Sequence, residues 1–111
     1  MPIYQQFDVV VVPFPFTDGN QTKRRPALVL SDRDTLTIDK TILAMITTKN
    51  HLLWPLDTVI NDLEAVGLDA PSMIRFKLFT LDNHLIIKKI GSLSKYDRTI
   101  ITVRMKKVFK I

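Results

Sequence analysis

The sequence predicts a mainly β fold: a small, strongly bent antiparallel sheet or partial barrel of the SH3-like kind, followed by one C-terminal helix. Short runs rich in β-branched residues follow one another at close spacing, and only the last stretch, residues 94–110, changes to helical periodicity. The chain has 111 residues, enough for one domain with a real core and too few for two, so residues 1–111 are read as a single domain.

The first strand is expected over residues 7–12, a β-branched run that Pro13 and Pro15 should end by removing backbone donors. A polar loop over 17–25 follows, with turn-forming Gly19 and Asn20 and three consecutive cations, Lys23, Arg24 and Arg25. Arg25 precedes Pro26, which favours an extended backbone and presents the guanidinium from a fairly rigid place. Apolar runs at 27–31 and 41–47 supply the next two strands, with a polar stretch over 32–40 between them. A loop carrying Trp54 before Pro55 leads to a strand at 56–60, and the indole is read as a cap on the core, with base stacking or a subunit contact as alternatives. A tight turn over 61–67 ends at Gly67, residues 72–76 return as a strand, and 78–81 are ambiguous. A last strand over 85–90 closes at Gly91, with His84 as an exposed turn residue. Ser94 followed by Asp97 resembles a capping box with Asp in place of Glu or Gln, and Lys106, Lys107 and Lys110 suit a helix C-terminus.

Composition narrows the function. With 46% hydrophobic and 24% charged residues, the chain is that of an ordinary folded protein. There is no Cys and there are only two His, His51 and His84, so neither a disulfide framework nor a metal site is expected, and no cofactor is implied. No apolar run approaches the roughly 18 residues of a membrane span, and the first residues do not read as a secretion signal. A cytoplasmic protein with no membrane partner is expected. The net charge of +5 favours polyanionic partners, nucleic acid or an acidic protein.

Nucleotide-binding glycine loops, a serine nucleophile elbow, H-E-x-x-H and a Cys nucleophile are all absent from the sequence. What remains is a set of Arg, Thr, Ser and Asp residues at strand ends: Thr17, Asp18 and Arg25, then Thr47 and Thr48, then Ser72 and Arg75. Arginine offers a planar fork suited to phosphate oxygens and hydroxyls add neutral hydrogen bonds, so the set fits phosphodiester recognition. Each residue also has a plain structural reading. Lys23 and Arg24 suit a solvated loop, Thr47 and Thr48 a β-favouring strand end, and Ser72 a turn after Pro71.

Five segments in order, FDVVVVPFPFTD, KRRPALVLS, LAMITTKN, GLDAPSMIRFKLFTLD and LIIKKIGSLS, resemble the MazF/PemK toxins of type II toxin–antitoxin systems over nearly the whole chain. The resemblance implies an SH3-like barrel of the MazF/CcdB kind, a homodimer, and a metal-independent endoribonuclease that cuts single-stranded RNA at short sequences. It implies a cognate antitoxin as partner, with operator DNA reached only through that antitoxin. The family's catalytic arginine falls on Arg25 and its strand-end threonine or serine on Thr47. Phe16, Thr17, Asp18, Lys23, Arg24, Thr48, Ser72 and Arg75 are then the substrate-binding candidates.

Some members carry an acidic residue shortly after the later arginine, whereas this chain reads Arg75, Phe76, Lys77. Asp18 is the carboxylate that would have to substitute, and the general base stays unassigned. Two other readings remain: a non-catalytic SH3-like binding or repressor module, and a gyrase poison of the CcdB type. The latter is disfavoured because the CcdB type resembles a chain ending Trp-Gly-Ile, and this chain ends Val-Phe-Lys-Ile.

Overall fold

The computed structural model describes residues 4–14, 23–33, 39–48 and 53–111. Among these residues six strands form one antiparallel sheet: β1 (Asp8–Phe14), β2 (Lys23–Val29), β3 (Lys40–Thr48), β4 (Thr58–Val59), β5 (Ser72–Asp82) and β6 (Lys88–Ser92). Their spatial order is β4-β5-β3-β2-β1-β6, and helix α1 (Lys95–Phe109) follows the last strand.

Several boundaries differ from the sequence reading. The first strand runs through Pro13 to Phe14, and the cations Lys23, Arg24 and Arg25 lie on β2 instead of in a loop. Both prolines sit where one neighbour has dropped away. Pro13 lies beyond Val11, the last β1 residue paired with β6, and Pro26 lies beyond Ala27, the last β2 residue paired with β3. A proline is tolerated there because the strand is locally an edge. The segments read separately over 72–81 are one strand of 11 residues, and the strand expected over 85–90 divides into a 3₁₀ turn (Asn83–Leu85) and β6.

The sheet is apolar on both faces. Val9, Leu28, Ala44, Ile46 and Ile74 face inward and pack with Ile60, Val66, Leu93 and Ile101 of the helix. Val10, Val12, Ala27, Val29, Leu43 and Leu81 form a second buried layer on the opposite face with Tyr4 and Ile86. Side-chain alternation makes this two-sided arrangement automatic once the strands are apolar at consecutive positions. The far ends of the sheet meet through Ser92, whose N–H donates to Ala65 O at 3.0 Å. Gly91 permits the approach, since a Cβ there would lie 2.3 Å from Ala65 O and 2.7 Å from Val66 Cα.

Helix α1 starts where expected. Ser94 Oγ accepts the Asp97 N–H at 3.2 Å, and Lys110 ends the helix in the left-handed region at φ 54° with Lys106 and Lys107 in the last turn. The second half of the capping box is absent, because the Asp97 carboxylate points elsewhere. It accepts from Asn61 N at 3.1 and 3.0 Å, Asn61 Nδ2 at 2.8 Å and Asp62 N at 3.0 Å, tying the helix to the turn after β4. Only part of the helix is buried by the sheet: Ile101 is inside, whereas Tyr96 and Val103 are exposed.

Asp97→Ala should therefore destabilise the fold by about 3 kcal/mol, since the Asn61 and Asp62 amides lose their acceptor. Ser94→Ala should cost about 1 kcal/mol. Urea unfolding of the two variants checks the ranking, and equal losses would contradict it.

Candidate functional site

Arg25 and Thr47 occupy mirror positions. Ala27 pairs with Met45, and each of the two residues lies two steps beyond that last β2–β3 pair, on the face where Ala27 and Met45 point. Both are half-buried, and the Arg25 guanidinium carbon lies 5.4 Å from the centre of the Phe14 ring on β1. Val12, directly opposite Arg25 on β1, belongs to the second apolar layer. The arginine thus stands at the rim of that layer with its guanidinium over the Phe14 ring.

Arg75 joins this face by register. It pairs with Met45, and Met73, two residues back, pairs with Thr47. Thr48 and Ser72 pair with each other and so belong to the other face. Ser72 is buried and its hydroxyl donates to Ala70 O at 2.8 Å, the turn role that its position after Pro71 suggests. Lys23 alternates onto the Arg25 face and Arg24 onto the opposite one, both exposed. Phe16, Thr17 and Asp18 lie outside the described residues, as does His51.

The sequence reading missed Asp57. It was placed inside a strand over 56–60, but β4 is only Thr58–Val59, and the residues before it form a turn. The Asp57 N–H donates to Trp54 O at 3.2 Å, with Pro55 and Leu56 at the corners and Leu56 at φ 65°. That positive φ is what the third position of a type II turn requires, and a leucine bears it at a cost of about 1 kcal/mol. The Asp57 carboxylate accepts Trp54 N at 2.8 Å, Arg75 Nη2 at 2.9 Å and Arg75 Nε at 3.3 Å. The Arg75 guanidinium in turn lies 4.8 Å from the centre of the Trp54 ring, and Arg104 of α1 donates to Asp57 O at 3.2 Å. Trp54 stays 44% exposed, so it is an outer wall and not the core cap that the sequence suggested. An aspartate in the otherwise apolar run W-P-L-D-T-V-I was the available signal.

Electrostatics fix the state of this carboxylate. Burial pushes the Asp57 pKa up, but hydrogen bonds from Arg75 and the Trp54 amide, with the Arg75 charge, outweigh it and hold the group below the ordinary value of 3.8. Asp57 is therefore a poor proton acceptor at neutral pH and a firm anchor for a cation. Among the described residues no three His, Asp or Glu side chains gather as a metal site would require, and no helix is long and apolar enough to cross a membrane.

Solved structures share this fold. The chain superposes on the MazE–MazF complex (Form III) from Deinococcus radiodurans with a TM-score of 0.76 at 14% identity, covering 99% of both chains. The Mycobacterium tuberculosis toxin MazF-mt6 matches with a TM-score of 0.71 at 19% identity, over 94% of this chain and 97% of that one. An endoribonuclease bound to its cognate antitoxin, from a mycobacterial species, gives 0.73 at 12% identity over 100% and 97%. No curated protein matches the sequence significantly. These likenesses establish a MazF-type barrel with a terminal helix. The family model of the PemK-like, MazF-like toxins of type II toxin–antitoxin systems matches residues 5–109, and the chain belongs to that family.

The Asp57–Arg75 pair should show in the acid limb of stability. Because the folded pKa of Asp57 is depressed, its contribution is fully present above the unfolded value of 3.8 and is lost as pH falls through the folded value. Asp57→Asn should flatten that limb, and Arg75→Ala, which strands a buried carboxylate, should cost about 3 kcal/mol at neutral pH. Urea titrations between acid and neutral pH make the comparison, and an Asp57→Asn curve parallel to wild type would contradict the assignment.

Proposed function

We propose that this toxin is an endoribonuclease that cleaves single-stranded RNA, and that Arg25 and Thr47 carry the reaction. The observation behind this reading is their mirrored placement past the Ala27–Met45 pair, on one face and at one end of the β2–β3 ladder. The structural relatives described as endoribonucleases support it at the level of the fold.

In the reaction the ribose 2′-hydroxyl attacks the adjacent phosphorus. The P–O5′ bond breaks, leaving a cyclic phosphate on one fragment and a free 5′-hydroxyl on the other. Arginine stays protonated in proteins and is a poor base, so Arg25 serves as a clamp on the charge that grows on the phosphorane oxygens. Its backing by Phe14 and Val12 restricts where the guanidinium reaches, which is what transition-state stabilisation needs. The Thr47 hydroxyl positions the phosphate. Asp57, held as a carboxylate by Arg75, is unsuited to accept the 2′ proton, which leaves Asp18 as the carboxylate to test for that role.

An acidic antitoxin segment is the regulatory partner in this reading, with Lys23 and Arg24 as its exposed electrostatic contacts on β2, and the active form is a homodimer. Cleavage proceeds without a divalent metal.

Arg25→Ala should lower cleavage about 100- to 1000-fold while leaving the unfolding curve unchanged. A folded variant that cuts at near-normal rate would sink the assignment. Cutting should persist in excess EDTA and stop when the nucleotide at the cut carries 2′-deoxyribose, although that strand should still bind. Cleavage of the deoxy strand would rule out the cyclic-phosphate route.

A further inference from the structure

The turn before β4 is more elaborate than a connection requires. Leu56 accepts a left-handed backbone, Asp57 turns back to hold both the Trp54 amide and the Arg75 guanidinium, and Arg104 reaches across from the helix to the Asp57 carbonyl. The product of these contacts is one indole held with a cation against its ring and 44% of the residue still open to water. Strained backbone fixed by several independent contacts is the kind of feature that gathers at ligand-binding sites, and here it presents an aromatic ring.

We propose that Trp54 is a stacking platform for one nucleobase of the single-stranded RNA, held flat by Arg75 with Asp57 as the positioning residue. This rests on the ribonuclease reading above and deepens it. Asp57 stands opposite Arg75, one step beyond the Thr58–Ile74 pair, so the cluster shares its face of the sheet with Arg25 and Thr47. Arg25, on β2, lies three strands from the β4 end that carries Trp54, roughly 14 Å at ordinary strand spacing, so the base that stacks belongs to a nucleotide near the cut and not to the one that is cut. Arg75 engages Asp57 through Nη2 and Nε at 2.9 and 3.3 Å, and in this proposal it acts on the substrate through the ring it supports.

Charge selects a nucleic acid over an acidic peptide less sharply than shape does. Among the described residues Arg25, Arg75 and Arg104 outnumber the Asp57 carboxylate here, which suits either polyanion. A flat ring braced on one side by a planar guanidinium, however, matches another planar π system, and stacking of this kind needs no particular base.

Trp54 is the chain's only tryptophan, so its emission reports this position alone. The probe is a short single-stranded RNA of mixed sequence, added to the Arg25→Ala protein so that the strand survives, with an abasic ribose-phosphate strand of equal length as control. RNA should quench the emission saturably, and the abasic strand should bind by anisotropy yet leave the emission nearly unchanged. In the same background Trp54→Phe should keep most of the RNA affinity, whereas Trp54→Leu should lose about tenfold or more with an unchanged urea midpoint. Asp57→Asn should weaken RNA binding and spare the abasic strand. RNA that binds without changing the emission overturns the platform and leaves the ribonuclease reading intact. RNA that neither binds nor is cut by the wild-type protein overturns both. Emission that responds only to a glutamate- and leucine-rich peptide assigns the ring to a protein partner and overturns the proposal.

Discussion

Two residues of β5 have no partner on β3. Ala44 pairs with Leu78 and the next residue, Met45, pairs with Arg75, so Phe76 and Lys77 are extruded from the ladder. An irregularity of this kind bends a strand and sharpens its twist, and here it falls in the longest described strand, beside the edge strand β4. Its size matters as much as its place. An insertion of two residues preserves the alternation of side chains, whereas one residue would turn every later side chain to the wrong face. Ile74, Phe76 and Leu78 thus all serve the helix-side core, while Arg75 and Leu81 stay on the other face. Without the insertion, continuation of the Ala44–Leu78 register would bring Arg75 opposite Thr47. With it, Arg75 moves one row away, to where Asp57 meets it.

Separate groups maintain the fold and form the candidate site. Asp97 and Asp8 are buried carboxylates engaged in joining elements: Asp97 holds the helix to the turn after β4, and Asp8 accepts Gln5 N and Ser92 Oγ at 2.9 Å each while Lys89 Nζ lies 3.3 Å away. Arg25 and Thr47 stand past the last pair of their ladder, where neither contributes to a core. Asp57 is the exception that serves both, since it closes a turn and fixes a cation on the face of the site.

Much of the fold was legible. The β-branched runs, the alternation of short strands and the Ser94 cap placed the sheet and the helix, because each depends on local chemistry. That Arg25 and Thr47 lie near strand ends was legible through the R-P dipeptide and the threonines that end a β-rich run. What escaped was set by register and distance. That Lys23 to Arg25 belong to a strand follows from pairing with Val12, Pro13 and Phe14, and no window on the cations alone contains that partner. The union of Asp57 with Arg75 joins residues far apart in sequence. The exposure of Tyr96 and Val103 reflects a sheet that covers only the Ile101 side of α1.

The sheet is a wall with an oily layer on each side, and the layers draw on alternate residues of the same strands. Water could reach the Tyr4 and Ile86 layer without first dislodging the helix, whereas the opposite layer is sealed by Ile101 and Leu93. Side chains of the two layers would then record different clocks, with frequent, shallow openings around Tyr4 and Ile86 and rare ones on the helix side that need the whole molecule to come apart. The strand amides, which lie in the plane of the sheet, would follow only the rarer event, so one layer can loosen while the backbone ladder remains closed.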